Sequence, residues 1–429
     1  MAHRYRVLVI AEAANPEWVS VPLVGWSMAN ALREVADVHI VTQIRNADAF
    51  RRAGLREGED FTAIDSERVA GPAFALAQRL RGGSGKGWTT VTAIAALTYW
   101  YFERLVWRRF GPALRAGEYD IVHRITPLSP TAQSPIARKC ARAGIAFVLG
   151  PLNGGLPWPQ QFDAERRQEK EWLSYVRRLY KILPGRAKTL AASRVIIAGS
   201  RHTASEIPAR HAGRVIYIPE NGIDPSRFDC AAQPHAEGPL RLCFIGRLVP
   251  YKGADMAIEA ALPLLREGRA HLDIVGDGPM RAALEALCAR EHCEQAVTFH
   301  GWVEHGDVQR IACRSSVFVF PSVREFGGAV VLEAMALGLA ALVVDYGGPG
   351  ELVHGGGGIA IPLGSRAEIV AGFRAALEQL SADPAKAHAM GEAGRRWALE
   401  CLTWSAKARR MVDVYDWATG ACSTKPAPY

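Results

Sequence analysis

Short apolar runs recur along this chain, each followed by a helix-forming stretch, and that alternation limits the available folds more than any other feature. Residues 6–11, 38–41, 120–123, 194–200 and the run from Phe147 lie in the front half. Residues 240–246, 297–302, 316–320 and the runs from Leu272 and Ala340 lie in the back half. Runs that are apolar throughout suit strands covered on both faces. Strands alternating with helices imply doubly wound parallel sheets, whose ligands bind beyond the carboxyl ends of the strands. The chain has 429 residues, enough for two or three domains, and its 49% hydrophobic and 22% charged content is that of a globular protein.

One stretch concentrates the chemistry. Residues 316–320 read as a buried strand, and 329–337 carry good helix formers before Gly338, a suitable residue just past a helix end. Between them lie Glu325, Gly327 and Gly328. Glycines at the mouth of a helix let backbone N–H groups approach an anion, and the helix dipole adds partial positive charge. Glu325 on the loop and Glu333 on the helix can both face a ligand held there; taken alone, they also read as a surface Glu and a solvated helix Glu. Upstream, Arg247 and Lys252 flank a turn that follows Gly246 and precedes a helix. Two cations so placed can neutralise a diphosphate.

These residues resemble the Glu-x7-Glu motif of retaining glycosyltransferases with the GT-B fold, the large family numbered four (glycosyl transferases group 1). Glu325 and Glu333 have seven residues between them, and Phe326-Gly327 follows the first. The Gly246-Arg247-Leu248…Lys252-Gly253 segment resembles the family's donor site. The resemblance implies two Rossmann-like domains facing across a cleft. The first would span 1–218 and hold the acceptor, the second 219–403 would hold the nucleotide-sugar, and a last helix near 404–420 would cross back onto the first. It implies that Arg247, Lys252 and the backbone at Gly327 and Gly328 meet the leaving diphosphate. Glu325 would meet the donor sugar, Glu333 the ribose, and the backbone near Gly301 and Trp302 the nucleobase.

His123 ends the 120–123 run, where a histidine can hold or shuttle a proton. It equally suits a satisfied structural position, and its Asp-x-x-His context resembles the family's acceptor-side histidine. Asn153, Gly154 and Gly155 form either part of an acceptor pocket or an ordinary turn. Relatives often carry a glycine pair after the first strand; here residues 12–25 hold the single Gly25, and the helix is expected from Ser27. Asp277 is expected to shape a turn.

The net charge of +8 is uneven: residues 1–220 carry 31 Lys and Arg against 19 Asp and Glu, a balance of +12. Such a half suits a polyanion, an anionic membrane surface or a phosphorylated acceptor, or is simply a basic surface. Nucleic acid is not an expected partner. Residues 88–110 combine Trp100, Tyr101, Phe102 and Trp107 with Arg104, Arg108 and Arg109. This stretch suits a core helix with a basic end or a helix lying in a membrane interface; its uncharged run is too short to span a bilayer. Residues 81–87 lack the full phosphate-loop spacing. Eight cysteines without a CxxC pair suit thiols that simply pack in reducing cytosol. No signal peptide is read before the first strand, and the tail from Ser423 is expected to fray. No metal or other cofactor is expected, since no Asp-x-Asp motif occurs. The expected function is retaining transfer of a sugar from a nucleotide diphosphate sugar to a glycan or lipid-linked acceptor, in envelope or exopolysaccharide synthesis. The protein would be cytoplasmic, with possible contact at the inner membrane face. The rivals are another GT-B enzyme, such as a nucleotide-sugar epimerase or a phosphorylase, and a non-catalytic nucleotide-sugar-binding protein.

Overall fold

The computed structural model describes residues 4–69, 71–72, 88–163, 166, 184–228, 230–232 and 238–429. The loop 81–87, most of the charged stretch 163–188 and the side chains of 88–97 lie outside the described residues. The chain divides into two compact units: Met1–Gly155, Glu169–Glu220 and Trp404–Tyr429 form one, Leu156–Gln168 and Asn221–Thr403 the other.

The first unit holds seven strands: β1 (Arg6–Ala11), β2 (Asp37–Gln43), β3 (Phe61–Ile64), β4 (Ile121–Thr126), β5 (Ala146–Leu152), β6 (Val195–Ala198) and β7 (Val215–Tyr217). They form one sheet in the order β3-β2-β1-β4-β5-β6-β7, with every pairing parallel. β1 explains why its run has no polar gap. Val7, Val9 and Ala11 join a core with Met28 and Leu32 of helix Val21–Val35 and Met411, Val414 and Tyr415 of helix Trp404–Thr419. Leu8 and Ile10 join a second core with Phe102, Val106 and Phe110 of helix Trp88–Arg115. Alternate residues of a strand point to opposite faces, so covering both faces leaves no polar position.

Three expectations need correction here. The helix after β1 starts at Val21, with Pro22 in its first turn, rather than at Ser27. Proline is pre-organised for that turn, where its missing N–H is not needed. Gly25 therefore lies inside the helix, where a Cβ would stand 2.2 Å from the Ala13 carbonyl oxygen. The tail is also held. Tyr429 N donates to Tyr217 O, the Lys425 ammonium stands 5.9 Å from the Trp417 ring, and Arg410 lies over Tyr429. Nor do all thiols merely pack, because Cys230 and Cys313 form a disulfide with Cα atoms 6.5 Å apart. A separation of 83 residues hides that pair from any reading of spacing.

The second unit has six parallel strands: β8 (Leu240–Ile245), β9 (Ala270–Val275), β10 (Val297–Gly301), β11 (Val317–Phe320), β12 (Ala340–Asp345) and β13 (Gly358–Pro362). Their order is β10-β9-β8-β11-β12-β13. The chain leaves β8 toward β9 and leaves the adjacent β11 toward β12, on the other side. The order thus reverses between β8 and β11, which is where a doubly wound sheet opens a ligand crevice beyond its carboxyl ends. None of the described helices is long and apolar enough to cross a membrane.

Candidate functional site

The two loops at that reversal carry the charged residues singled out from the sequence. Arg247 and Lys252 lie after β8, Glu325 lies after β11, and Glu333 lies on helix Ala329–Ala336, which the same loop opens. Lys252 Nζ forms an ion pair with Glu325 Oε2, with the two side chains 16% and 21% exposed. The ammonium also stands 5.1 Å from the centre of the Phe320 ring. At that exposure the pair is more than a solvated surface contact, because partial desolvation strengthens it. Arg247 is exposed, and its guanidinium has no ion-pair or hydrogen-bond partner among the described residues. With Lys252 and Glu325 neutralising each other, Arg247 leaves the loop pair positive.

Gly328 caps helix Ala329–Ala336 at φ 63°, and no side chain caps the first turn. The helix entrance thus keeps unsatisfied N–H groups and the positive end of the dipole. At Gly327 a Cβ would stand 2.2 Å from Asn221 Nδ2, so a side chain there would displace the asparagine amide. The neighbouring loops brace this one. Gly246 N donates to Val275 O at 2.9 Å, Gly276 N to Gly301 O at 2.8 Å, and Leu248 N to Asp277 O at 3.0 Å. Asp277 Oδ1 also accepts from Gly278 N, which closes the turn after β9. Trp302, just past β10, is 72% exposed. Glu333 is half-buried; burial pushes its carboxyl up to about 7, and the nearby Arg227 guanidinium opposes that rise.

Sequence reasoning missed three residues here. Arg227 follows the Asn221-Gly-Ile-Asp224 turn, in which the Asp224 carboxylate accepts from Ser226 N. Its signal was the position of a cation three residues beyond a recognisable turn. Trp158 and Arg324 had no local signal. The segment from Leu156 groups with the second unit, and the Trp158 ring lies edge-on to Tyr251 at 5.9 Å and 4.8 Å from the Arg324 guanidinium. Tyr346 OH donates to Pro157 O at 2.8 Å, and a Cβ on Gly347 would stand 2.3 Å from Leu156 Cδ1. This strap thus touches the residue before Lys252 and the residue before Glu325.

In the first unit the reading of His123 is corrected. β4 continues to Thr126, so His123 lies within the strand, opposite Val9 and Val148. It is fully buried, with Nε2 2.8 Å from Gly150 O and Nδ1 2.9 Å from Tyr415 OH. A carbonyl only accepts, so Nε2 carries the hydrogen and Nδ1 accepts from the tyrosine. Burial lowers the imidazole to about 4. A neutral ring with both nitrogens engaged has no proton to exchange with a ligand, and it acts as a core residue. Asn153 makes a closed turn, accepting from Gly155 N at 2.8 Å and donating to Glu220 Oε2 at 2.6 Å. At the carboxyl end of β1 stands Glu12, whose carboxyl is raised by burial against the pull of Arg45. Among the described residues no cluster of His, Cys, Asp and Glu is arranged to hold a metal ion.

Comparison with known proteins places this site in a family context. Residues 226–397 match the model for glycosyl transferases group 1. Over 205 residues the chain is 33% identical to a Mycobacterium tuberculosis glycogen synthase, covering 47% of this chain and 48% of that protein. Over 241 residues it is 30% identical to a GDP-mannose-dependent alpha-(1-6)-phosphatidylinositol monomannoside mannosyltransferase of Mycolicibacterium smegmatis, covering 51% and 61%. The chain thus spans about half the length of the curated relatives it matches. The structure of Anabaena HepE solved with UDP superposes with a TM-score of 0.58 at 15% identity, over 95% of this chain and 99% of that one, a likeness of fold.

Proposed function

We propose, from the premise that this chain belongs through residues 226–397 to the glycosyl transferases group 1 family and has the GT-B fold, that it moves a sugar from a nucleotide diphosphate sugar to an acceptor hydroxyl with retained anomeric configuration. The observation that carries this reading is the pairing of Lys252 with Glu325 across the two loops at the β8/β11 reversal, beside the unpaired Arg247 and an uncapped helix entrance. A departing nucleoside diphosphate needs its developing charge neutralised, and preorganised cations and N–H groups supply that without reorganisation. Lys252 and Arg247 take the phosphates, joined by the backbone at Gly327 and Gly328. Lys252 then releases Glu325, which becomes free to accept from donor sugar hydroxyls. Glu333 accepts from the ribose, and the backbone near Gly246, Gly301 and Trp302 borders the nucleobase. The protein supplies no carboxylate nucleophile in this scheme, and no metal.

Glycogen synthase and the phosphatidylinositol monomannoside mannosyltransferase name a glucan and a lipid-linked glycan, and an Erwinia amylovora relative is named for amylovoran biosynthesis. Those names support a glycan or lipid-linked acceptor in envelope or exopolysaccharide synthesis. The UDP in the HepE structure supports a nucleotide-sugar donor.

The deciding experiment is a thermal-shift panel of UDP-, GDP- and ADP-sugars, followed by turnover of the best binder with chelator present. The expected result is one stabilising donor, sugar release or transfer unaffected by chelation, and a loss of roughly a hundredfold in rate for Lys252→Ala. Unchanged turnover in both Lys252→Ala and Glu325→Ala would overturn the assignment. Release of a new free sugar nucleotide without acceptor would replace it with an epimerase.

A further inference from the structure

Helices Trp88–Arg115 and Pro135–Arg142 share one core on the first unit. Their outer surface carries Arg104, Arg108, Arg115, Arg138, Lys139 and Arg142, and none of these makes an ion pair among the described residues. Glu103, on the same helix, points inward; it is 1% exposed and accepts from the Ser134 hydroxyl and from Ile136 N. Arg104 and Arg108 stand one helical turn apart, a spacing at which like charges destabilise a helix.

Between the helices runs a groove of about 610 Å³ lined by Tyr101, Arg104, Leu105, Trp107, Arg108 and Lys139. The Trp107 ring sits between two cations, with Lys139 Nζ at 5.0 Å and Arg115 Cζ at 5.7 Å from its centre. One turn before Arg104, Trp100 is 41% exposed. Desolvation lowers the Lys139 ammonium, and Arg104 and Arg115 lower it further against the pull of Glu103. A crowd of cations without an ion-pair partner among the described residues is complementary to an external anion. The aromatic side chains narrow the choice: a soluble polyanion needs only the charge, whereas a bilayer surface offers phosphates and an apolar boundary at which Trp and Tyr settle.

We propose that this face docks on an anionic phospholipid bilayer, with a lipid phosphate in the groove among Arg104, Arg108 and Lys139 and with Trp100 at the edge of the hydrocarbon. The docking lies outside the donor site and does not depend on which sugar, if any, is moved.

The test is flotation of the purified full chain with vesicles of phosphatidylglycerol or of phosphatidylcholine at low salt. Wild type floats with the anionic vesicles and not with the neutral ones. The triple variant Arg104→Gln, Arg108→Gln, Lys139→Gln loses about a hundredfold in partitioning, given the usual attraction per basic residue near such a surface. A control triple variant of exposed cations in the second unit, Arg290→Gln, Arg310→Gln, Arg396→Gln, removes the same charge and keeps binding. Trp100→Ser, which leaves the charge untouched, weakens binding by about tenfold. Equal loss in both triple variants would reduce the effect to net charge and overturn the proposal. So would wild-type binding to dextran sulfate that Trp100→Ser leaves unchanged together with its binding to vesicles. Melting temperatures and the donor-induced thermal shift, measured for every variant, separate a folding defect from lost docking.

Discussion

Glu333 shows what one residue adds beyond its motif. Its carboxyl, raised by burial to about 7, keeps a proton in the folded chain that an unfolded chain releases above about 4.3. The folded state therefore binds more protons between those values, and its stability falls as pH rises from about 4 to 7. Glu333→Gln removes that contribution, so the variant gains stability relative to wild type as pH rises, which paired urea titrations at several pH values would read. The ligand acts in the opposite sense. Ribose hydroxyls donate best to the ionised carboxylate, so nucleoside diphosphate affinity rises with pH toward a plateau above 7, by up to about tenfold per unit. Calorimetric titration should find that slope in wild type and not in Glu333→Gln. A flat wild-type profile would remove Glu333 from the ligand contact. The Glu-x7-Glu spacing singled out this residue from the sequence, but not its protonation, because the apolar packing and Arg227 come from elsewhere in the chain.

At the scale of elements, the loops after β8 and β11 are held from two sides. The Lys252–Glu325 pair ties them on one, and the strap carrying Trp158 ties them on the other through Tyr251 and Arg324. Trp158→Ala should lower stability by about 3 kcal/mol, as truncation of a buried aromatic does. It should also raise the donor KM, up to about a hundredfold if the loops shift by an ångström. Trp158→Phe keeps a ring against Tyr251 and should restore most of the affinity; kinetics and melting of both variants check this. An unchanged donor KM in Trp158→Ala would show that the ion pair alone fixes the loops. The strap was illegible in advance because residues 156–162 lie in sequence between β5 and β6 of one sheet yet pack on the other unit. His123 failed in the reverse way. Its strand was legible, but the run was ended too early, and only the packing of Tyr415 and Gly150 shows both nitrogens occupied.

At the scale of the whole molecule, the closing helix Trp404–Thr419 belongs to the first unit although the second precedes it in the chain. Its buried Lys407 donates to Pro219 O at 2.5 Å and Glu220 O at 3.0 Å, the last residues of the first unit before the chain leaves it. Burial lowers that ammonium to about 7, against the pull of Glu220. The Cys230–Cys313 link is a second long-range tie, inside the other unit. Thiol titration in denaturant should count six free cysteines, and two more after reduction. Eight before reduction would show that the pair is not joined. The sequence by itself determined two parallel sheets and the loops that carry Arg247, Lys252, Glu325 and Glu333, because apolar periodicity and glycine placement are local and each strand end announces its own loop. Only the tertiary structure decided which of those charges pair, which helix entrance stays open, that His123 is sealed in the core and that a strap from between β5 and β6 braces the site. Those outcomes rest on burial and on contacts between residues far apart in sequence, where spacing along the chain carries no information.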